Sequence, residues 1–180
     1  MSLEDEYAQP EQVHWQGKFL AMKTRGRWEY VSRTRNIRAA VILAVDDGHV
    51  ILVEQFRVAL GRRSLELPAG LVGDHDDDAD EEAITAAARE LEEETGYRAG
   101  KIAAVGEFFS SPGMVTEAFT LFHATDLEKI GEGGGVEDEA ITVHRVPIAE
   151  IEPFIAARRA EGFGIDTRLL LFLGPPLITV

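Results

Sequence analysis

"ARELEEETGY", Ala88 to Tyr97, sets Glu90, Glu92, Glu93 and Glu94 almost side by side, where like charges repel. From Glu81 onward Ile84, Ala87, Ala88, Leu91 and Thr95 recur at helical spacing and form one packing stripe. Gly96 stands where a helix stops. Residues three and four apart share a helix face, so Glu90, Glu93 and Glu94 point together, while Glu92 and Glu81 point elsewhere. Two readings compete: a solvated acidic face, or a cage for a hard divalent cation, which takes carboxylate oxygens and keeps waters and substrate phosphates as further ligands. Small residues at Ala83, Ala86 and Ala87 would leave room beside such a cage for substrate.

Working outward, apolar strand-forming runs flank this helix. "WEYVSRTRNIRAAVILAV" (Trp28 to Val45) reads as one or two strands, "DDGH" (Asp46 to His49) as a turn, and "VILVEQF" (Val50 to Phe56) as the returning strand of a hairpin. Arg57 to Asp80 reads as loop with a short strand at Ser64 to Leu67. Lys101 to Phe109, Ala118 to Leu127 and Ala140 to Val146 read as strands, and Ile148 to Gly162 and Ile165 to Gly174 as helices. Strands, helix, strands, helices is the order of an α+β domain. We expect an N-terminal β region over 1–37 and the main domain over 38–180.

The chain has 180 residues, enough to bury a core without staples, and no Cys, which excludes disulfides and thiol nucleophiles. No apolar run approaches the roughly 20 residues of a membrane helix. A net charge of −14 repels nucleic-acid backbones and anionic membranes. The expectation is a cytoplasmic protein with no nucleic-acid or membrane partner. His14, His49, His75, His123 and His144 lack metal-ligand spacing.

"LPAG" (Leu67 to Gly70), then Glu81, then "RELEEETGY" resembles the Nudix box. Arg89, Glu90, Leu91, Glu93, Glu94, Gly96 and Tyr97 all fit its second half, with Glu81 at the required gap. The first half departs from it: eleven positions separate Gly70 from Glu81 where the family has six, the excess lying in "GDHDDDAD" (Gly73 to Asp80). Asp76, Asp77 and Asp78 there read as a solvated loop. "VEQFR" before the box and "SSPGMVTEAFTLFHATDL" after it are similar to the ADP-ribose pyrophosphatase branch, and Pro112 falls sixteen residues after Gly96, as that branch has it. "SPGMVTE" also resembles the GDP-mannose hydrolases.

The resemblance implies an α/β/α sandwich with a mixed sheet, and metal-dependent attack of water on a pyrophosphate, most directly ADP-ribose to AMP and ribose 5-phosphate. GDP-mannose or another nucleoside diphosphate sugar is the alternative, and a non-catalytic Nudix-like binding domain the rival from another class. It implies Mg²⁺, with Mn²⁺ as a substitute, held by Glu90 and Glu94, by Glu93 directly or through water, and by the Ala69 carbonyl. Arg89 would fix the carboxylates. The general base would come from Glu137 or Glu139, which stay unranked. Arg57 suits phosphate oxygens. Glu66 would bind sugar hydroxyls or a base amino group, with Arg62, Pro112, Glu117 and Trp28 as further substrate contacts. The branch also implies a homodimer to which the region before Arg38 contributes.

Overall fold

The turn at Asp46 to His49 starts the architecture. Asp47 and Gly48 both have positive φ, 47° and 68°, the two-residue geometry that matches the twist of a hairpin. It joins β4 (Arg38–Asp46) to β5 (His49–Arg57). The two strands pair only at Val45 with Val50 and Asp46 with His49, and then splay apart. A plain hairpin was the sequence expectation. The splay follows from β4 itself: Ala40, Val41, Ile42 and Ala44 are fully buried, and such a strand needs neighbours on both edges and cover on both faces.

The computed structural model describes residues 2–34, 37–73, 82–136 and 139–178. The predicted positions Glu81, Glu137, His75 and Asp76 to Asp78 lie outside them. The described chain runs α1 (Leu3–Tyr7), β1 (Glu11–Gln16), β2 (Leu20–Arg25), β3 (Trp28–Arg33), β4, β5, β6 (Arg62–Glu66), β7 (Ala69–Val72), α2 (Ala83–Thr95), β8 (Tyr97–Phe109), β9 (Ala118–Lys129), β10 (Thr142–Pro147), α3 (Ile151–Ala160), β11 (Gly164–Ile165) and α4 (Leu170–Ile178). After the splay, β4 continues parallel to β9 and antiparallel to β7, while β5 continues between β6 and β10. The mixed sheet therefore has two leaves. One is β4, β7, β9 and β8; the other is β5, β6, β10 and β11.

Strand alternation then divides the core. Ala40, Ile42, Ala44 and Ile51 pack with Phe122 and Ala124 against Ala87 and Leu91 of α2. Val41, Val50, Leu52 and Leu65 pack on the other side against Ile151 and Ile155 of α3 and against Leu169 and Leu173. Helices on both faces of a mixed sheet give the expected sandwich. Pro153 fits at the third position of α3, where an N–H has no helical acceptor to lose.

Several elements exceed the sequence reading. Within the N-terminal stretch expected to be β, β1 and β2 were not placed as strands, and with β3 they form a separate three-stranded sheet. Val31 N–H donates to the Met114 carbonyl and Thr116 N–H to the Val31 carbonyl, tying that sheet to the segment before β9. β7 lies in the stretch read as loop, and β8 starts at Tyr97, directly behind Gly96.

Candidate active site

α2 begins at Ala83 behind an extended Glu82 and ends at Gly96, whose φ of 69° is left-handed. Its buried residues are Ala86, Ala87, Leu91, Glu94 and Thr95. Ile84 is exposed, so the packing stripe is rotated slightly from the predicted one. The expectation that Ala83, Ala86 and Ala87 leave room for substrate is corrected: Ala86 and Ala87 are wholly buried, and Ala83 packs against the same core. The rotation carries Glu94 inward, to 3% exposure.

Glu94 accepts a hydrogen bond on Oε2 from the Ala69 N–H at 3.0 Å. Burial pushes its carboxyl up to about 8, and the negative charges of Glu90 and Glu139 push the same way against Ala69 and Arg57. Gly70 lies against Glu90, and any Cβ there would overlap the Glu90 carboxyl group. This is the local reason for "PAG" before the helix. Arg89 Nη1 reaches both Glu90 Oε1 at 2.9 Å and Glu93 Oε2 at 3.0 Å, so one guanidinium clamps two carboxylates. Glu93 faces this clamp and is not among the groove-lining side chains.

The segment after β9 is strapped to the end of α2. Gly134 N–H donates to the Glu94 carbonyl and Gly135 N–H to the Glu93 carbonyl, and the Gly96 carbonyl accepts from Ile130 and Gly131. These bonds satisfy carbonyls that a helix end leaves open. Gly133, at φ 70°, lies so close to the Glu94 and Thr95 backbone that a Cβ would collide with it. The strap leads to Glu139, whose carboxylate accepts from the Val136 N–H at 2.9 Å and faces the groove.

That groove encloses about 870 Å³ between the two leaves. Ala69, Gly70, Glu90, Glu94 and Glu139 form one side. Arg57, Arg62, Ser64 and Glu66 form the other, sharing one face of β5 and β6 because Arg57 pairs with Arg62 and Gln55 with Ser64. Arg57 grips Glu66 through two bonds, Nε to Oε1 at 2.8 Å and Nη2 to Oε2 at 2.6 Å. The hydrogen bond to Glu66 holds the Arg57 pKa above its ordinary value despite burial. Glu117 lines the groove too, paired with Arg33, whose Nε lies 3.0 Å from Glu117 Oε1.

Trp28 and Pro112 are not brought to this groove. They line a second hollow of about 510 Å³ with Tyr7, Glu11 and Tyr30, on the N-terminal sheet. Three charged groove residues escaped the sequence reading: Arg33, Asp166 and Arg168. Asp166 and Arg168 left a faint signal, two opposite charges inside the apolar run "FGIDTRLLLFLG". Burial weakens the Arg168 charge, but hydrogen bonding to Asp166 outweighs it and raises its pKa; Asp166 is buried as well, yet Arg168 keeps its carboxyl below the ordinary value.

Among the described residues no three acidic or histidine side chains close into a metal cage. The donors nevertheless fit an open, hydrated divalent ion. Glu94 is a buried carboxylate facing two like charges, and a cation between them would offset both the burial and the repulsion that raise its pKa.

The NUDIX domain family matches residues 34–163. A Bacillus subtilis protein named ADP-ribose pyrophosphatase is 37% identical over 120 residues, 66% of this chain and 62% of that protein. A Mycobacterium tuberculosis protein of the same name is 39% identical over 123 residues, 67% of this chain and 55% of that one. A Cronobacter sakazakii GDP-mannose pyrophosphatase is 43% identical over 109 residues, 56% of this chain and 54% of the other. The chain spans between about half and two thirds of the length of these curated relatives. A crystal structure of an ADP compounds hydrolase matches with a TM-score of 0.69 at 21% identity, covering 93% of this chain and 91% of that one, a likeness of fold.

Proposed function

Because the chain belongs to the NUDIX domain family, we propose that it hydrolyses the pyrophosphate bond of a nucleoside diphosphate sugar, ADP-ribose first, to AMP and ribose 5-phosphate. One observation carries this reading: a buried, crowded carboxylate, Glu94, faces the same groove as an arginine fork, Arg57, held at the opposite wall. Carboxylates on one side suit cations, and a guanidinium on the other suits phosphate oxygens.

Glu90 and Glu94 would hold Mg²⁺ or Mn²⁺, with Glu93 and the Ala69 carbonyl as further ligands; such ions neutralise phosphoryl oxygens and acidify water. Arg89 keeps Glu90 and Glu93 oriented. Glu139, which faces the groove, or Glu137 would take a proton from the attacking water as its oxygen bonds to one phosphorus and the bridging P–O bond breaks. Arg57 and Arg62 hold the diphosphate in line, and Glu66 and Glu117 face the sugar or base. GDP-mannose is the second reading, favoured by the relatives of that name.

We further propose that two copies associate through the N-terminal sheet, where Val13, Trp15, Phe19 and Met22 are exposed. Pairing would also let Trp28 and Pro112 of one copy serve the groove of the other. No helix among the described residues is long and apolar enough to cross a membrane, and the absence of Cys accords with a reducing cytoplasm.

The test is hydrolysis of ADP-ribose and GDP-mannose side by side, with Mg²⁺ and with chelator. AMP release that needs Mg²⁺ is expected, and Glu90→Ala or Glu94→Ala should abolish it in a folded protein. Full activity in both variants would refute the assignment. Light scattering that shows a monomer would refute the pairing.

A further inference from the structure

Two guanidinium groups and two carboxylates alternate along one wall of the groove: Arg57, Glu66, Arg168, Asp166. Arg57 holds Glu66 at 2.8 and 2.6 Å. Arg168 Nη2 stands 3.9 Å from Glu66 Oε2, the oxygen that Arg57 Nη2 also contacts. Arg168 in turn grips Asp166 through Nε to Oδ1 and Nη2 to Oδ2, both at 2.6 Å. Its guanidinium also lies over the Phe119 ring at 5.5 Å, a contact that suits a cation.

The backbone fixes this chain of charges. Asp166 N–H donates to the Leu65 carbonyl at 3.1 Å, next to Glu66 on β6. The Asp166 side chain accepts from the Arg168 N–H at 2.8 Å. Leu169, the following residue, is fully buried in the core. Arg168 is therefore held by backbone, carboxylate, ring and core at once, and none of these contacts needs substrate. Glu66 is 3% exposed. A carboxylate that deep requires its charge to be met on each side, or it will draw in water and turn. Arg57 bonds both of its oxygens. Arg168 adds a second cation, 3.9 Å from the Oε2 that Arg57 also holds.

We infer that Arg168 is a positioning residue that acts through Glu66: it holds the Glu66 carboxylate in the plane that presents the Arg57 fork to the substrate diphosphate. The inference rests on the proposed hydrolysis of nucleoside diphosphate sugars. It assigns a role in that reaction to the segment behind β11. A residue that sets the orientation of a binding group changes affinity for substrate and transition state alike, so KM moves and kcat hardly does.

The experiment is steady-state kinetics, with whichever of ADP-ribose and GDP-mannose the wild type turns over faster, on Arg168→Gln, Arg168→Lys, Glu66→Gln and the double variant Arg168→Gln/Glu66→Gln. Thermal midpoints are measured alongside. Arg168→Gln should raise KM about tenfold and change kcat by less than about threefold. Arg168→Lys keeps the charge over Phe119 but loses the two-pronged grip, and should recover part of that KM. In the Glu66→Gln background, adding Arg168→Gln should raise KM by less than about twofold, because the group through which it acts is already gone. Fully additive effects would overturn the inference in favour of a direct substrate contact. A lowered midpoint with unchanged KM would overturn it in favour of a purely structural pair. A wild type that hydrolyses neither sugar nucleotide would sink the proposed function, and the inference with it.

Discussion

Replacing Glu94 by Gln should make the metal-free protein more stable at pH 8 while removing its activity. The Glu94 carboxyl rises from 4.5 to about 8 on folding, first through burial and then through Glu90 and Glu139. Below about pH 4.5 it is protonated in both states. Between 4.5 and 8 the unfolded chain is ionised there and the folded chain is not. The folded state binds the extra proton, so stability falls as pH rises through this window. Above pH 8 both states are ionised and the whole cost is expressed, about 5 kcal/mol at its ceiling. Gln has nearly the same shape and can still accept from the Ala69 N–H, so it keeps the packing and loses the charge. The assay is urea unfolding from pH 5 to 8.5 in chelator, for wild type and Glu94→Gln. Wild type should lose a few kcal/mol across the range relative to the variant. Adding Mg²⁺ at pH 8 should restore stability to wild type, by about 2.7 kcal/mol at a hundredfold excess over Kd, and leave the variant little changed. Parallel pH profiles for the two proteins would refute the argument, because they would mean that Glu94 ionises freely in the fold.

Other expected outcomes follow from packing and from the strap. Leu91→Ala removes a fully buried side chain between α2 and the sheet and should cost about 2–5 kcal/mol in denaturant unfolding. Gly133→Ala places a Cβ 2.6 Å from the Glu94 carbonyl oxygen at φ 70°. It should destabilise by more than about 1 kcal/mol and lower kcat by displacing Glu139, so unchanged kcat would separate the strap from catalysis. Arg57→Lys keeps the charge but not the fork, and should raise KM more than it lowers kcat in the same steady-state assay.

The core of the fold was written in local patterns. β4 announced itself by an unbroken apolar run, the turn by Asp-Gly, and α2 by its stripe and terminal Gly96. The shared face of the α2 carboxylates was legible because one helix fixes their spacing, and Arg57 through the likeness of "VEQFR". What escaped was non-local or without period. β1 is exposed along its whole length, so its short alternation of Val13 and Trp15 with polar residues marks no buried face, and β7 is four residues long. Arg168 joins the groove only through β11 beside β6, an approach across some hundred residues that no local spacing encodes. Ile84 was misplaced because five positions at helical spacing fit two adjacent stripes equally well. Burial of Glu94 chose between them.

The splay of β4 from β5 also bears on how the groove can change. The groups assigned to bond cleavage, Glu90, Glu94 and Ala69, belong to one leaf of the sheet or the helix packed on it. Arg57, Arg62 and Glu66, assigned to the diphosphate and to the sugar or base, belong to the other leaf, with Arg168 in the turn behind it, while Glu117 precedes β9 of the first. The leaves share only a two-pair seam at Val45 to Val50. Substitutions along β5 and β6 can therefore reshape one side of the groove while Ala69, Glu90 and Glu94 keep their geometry on the other.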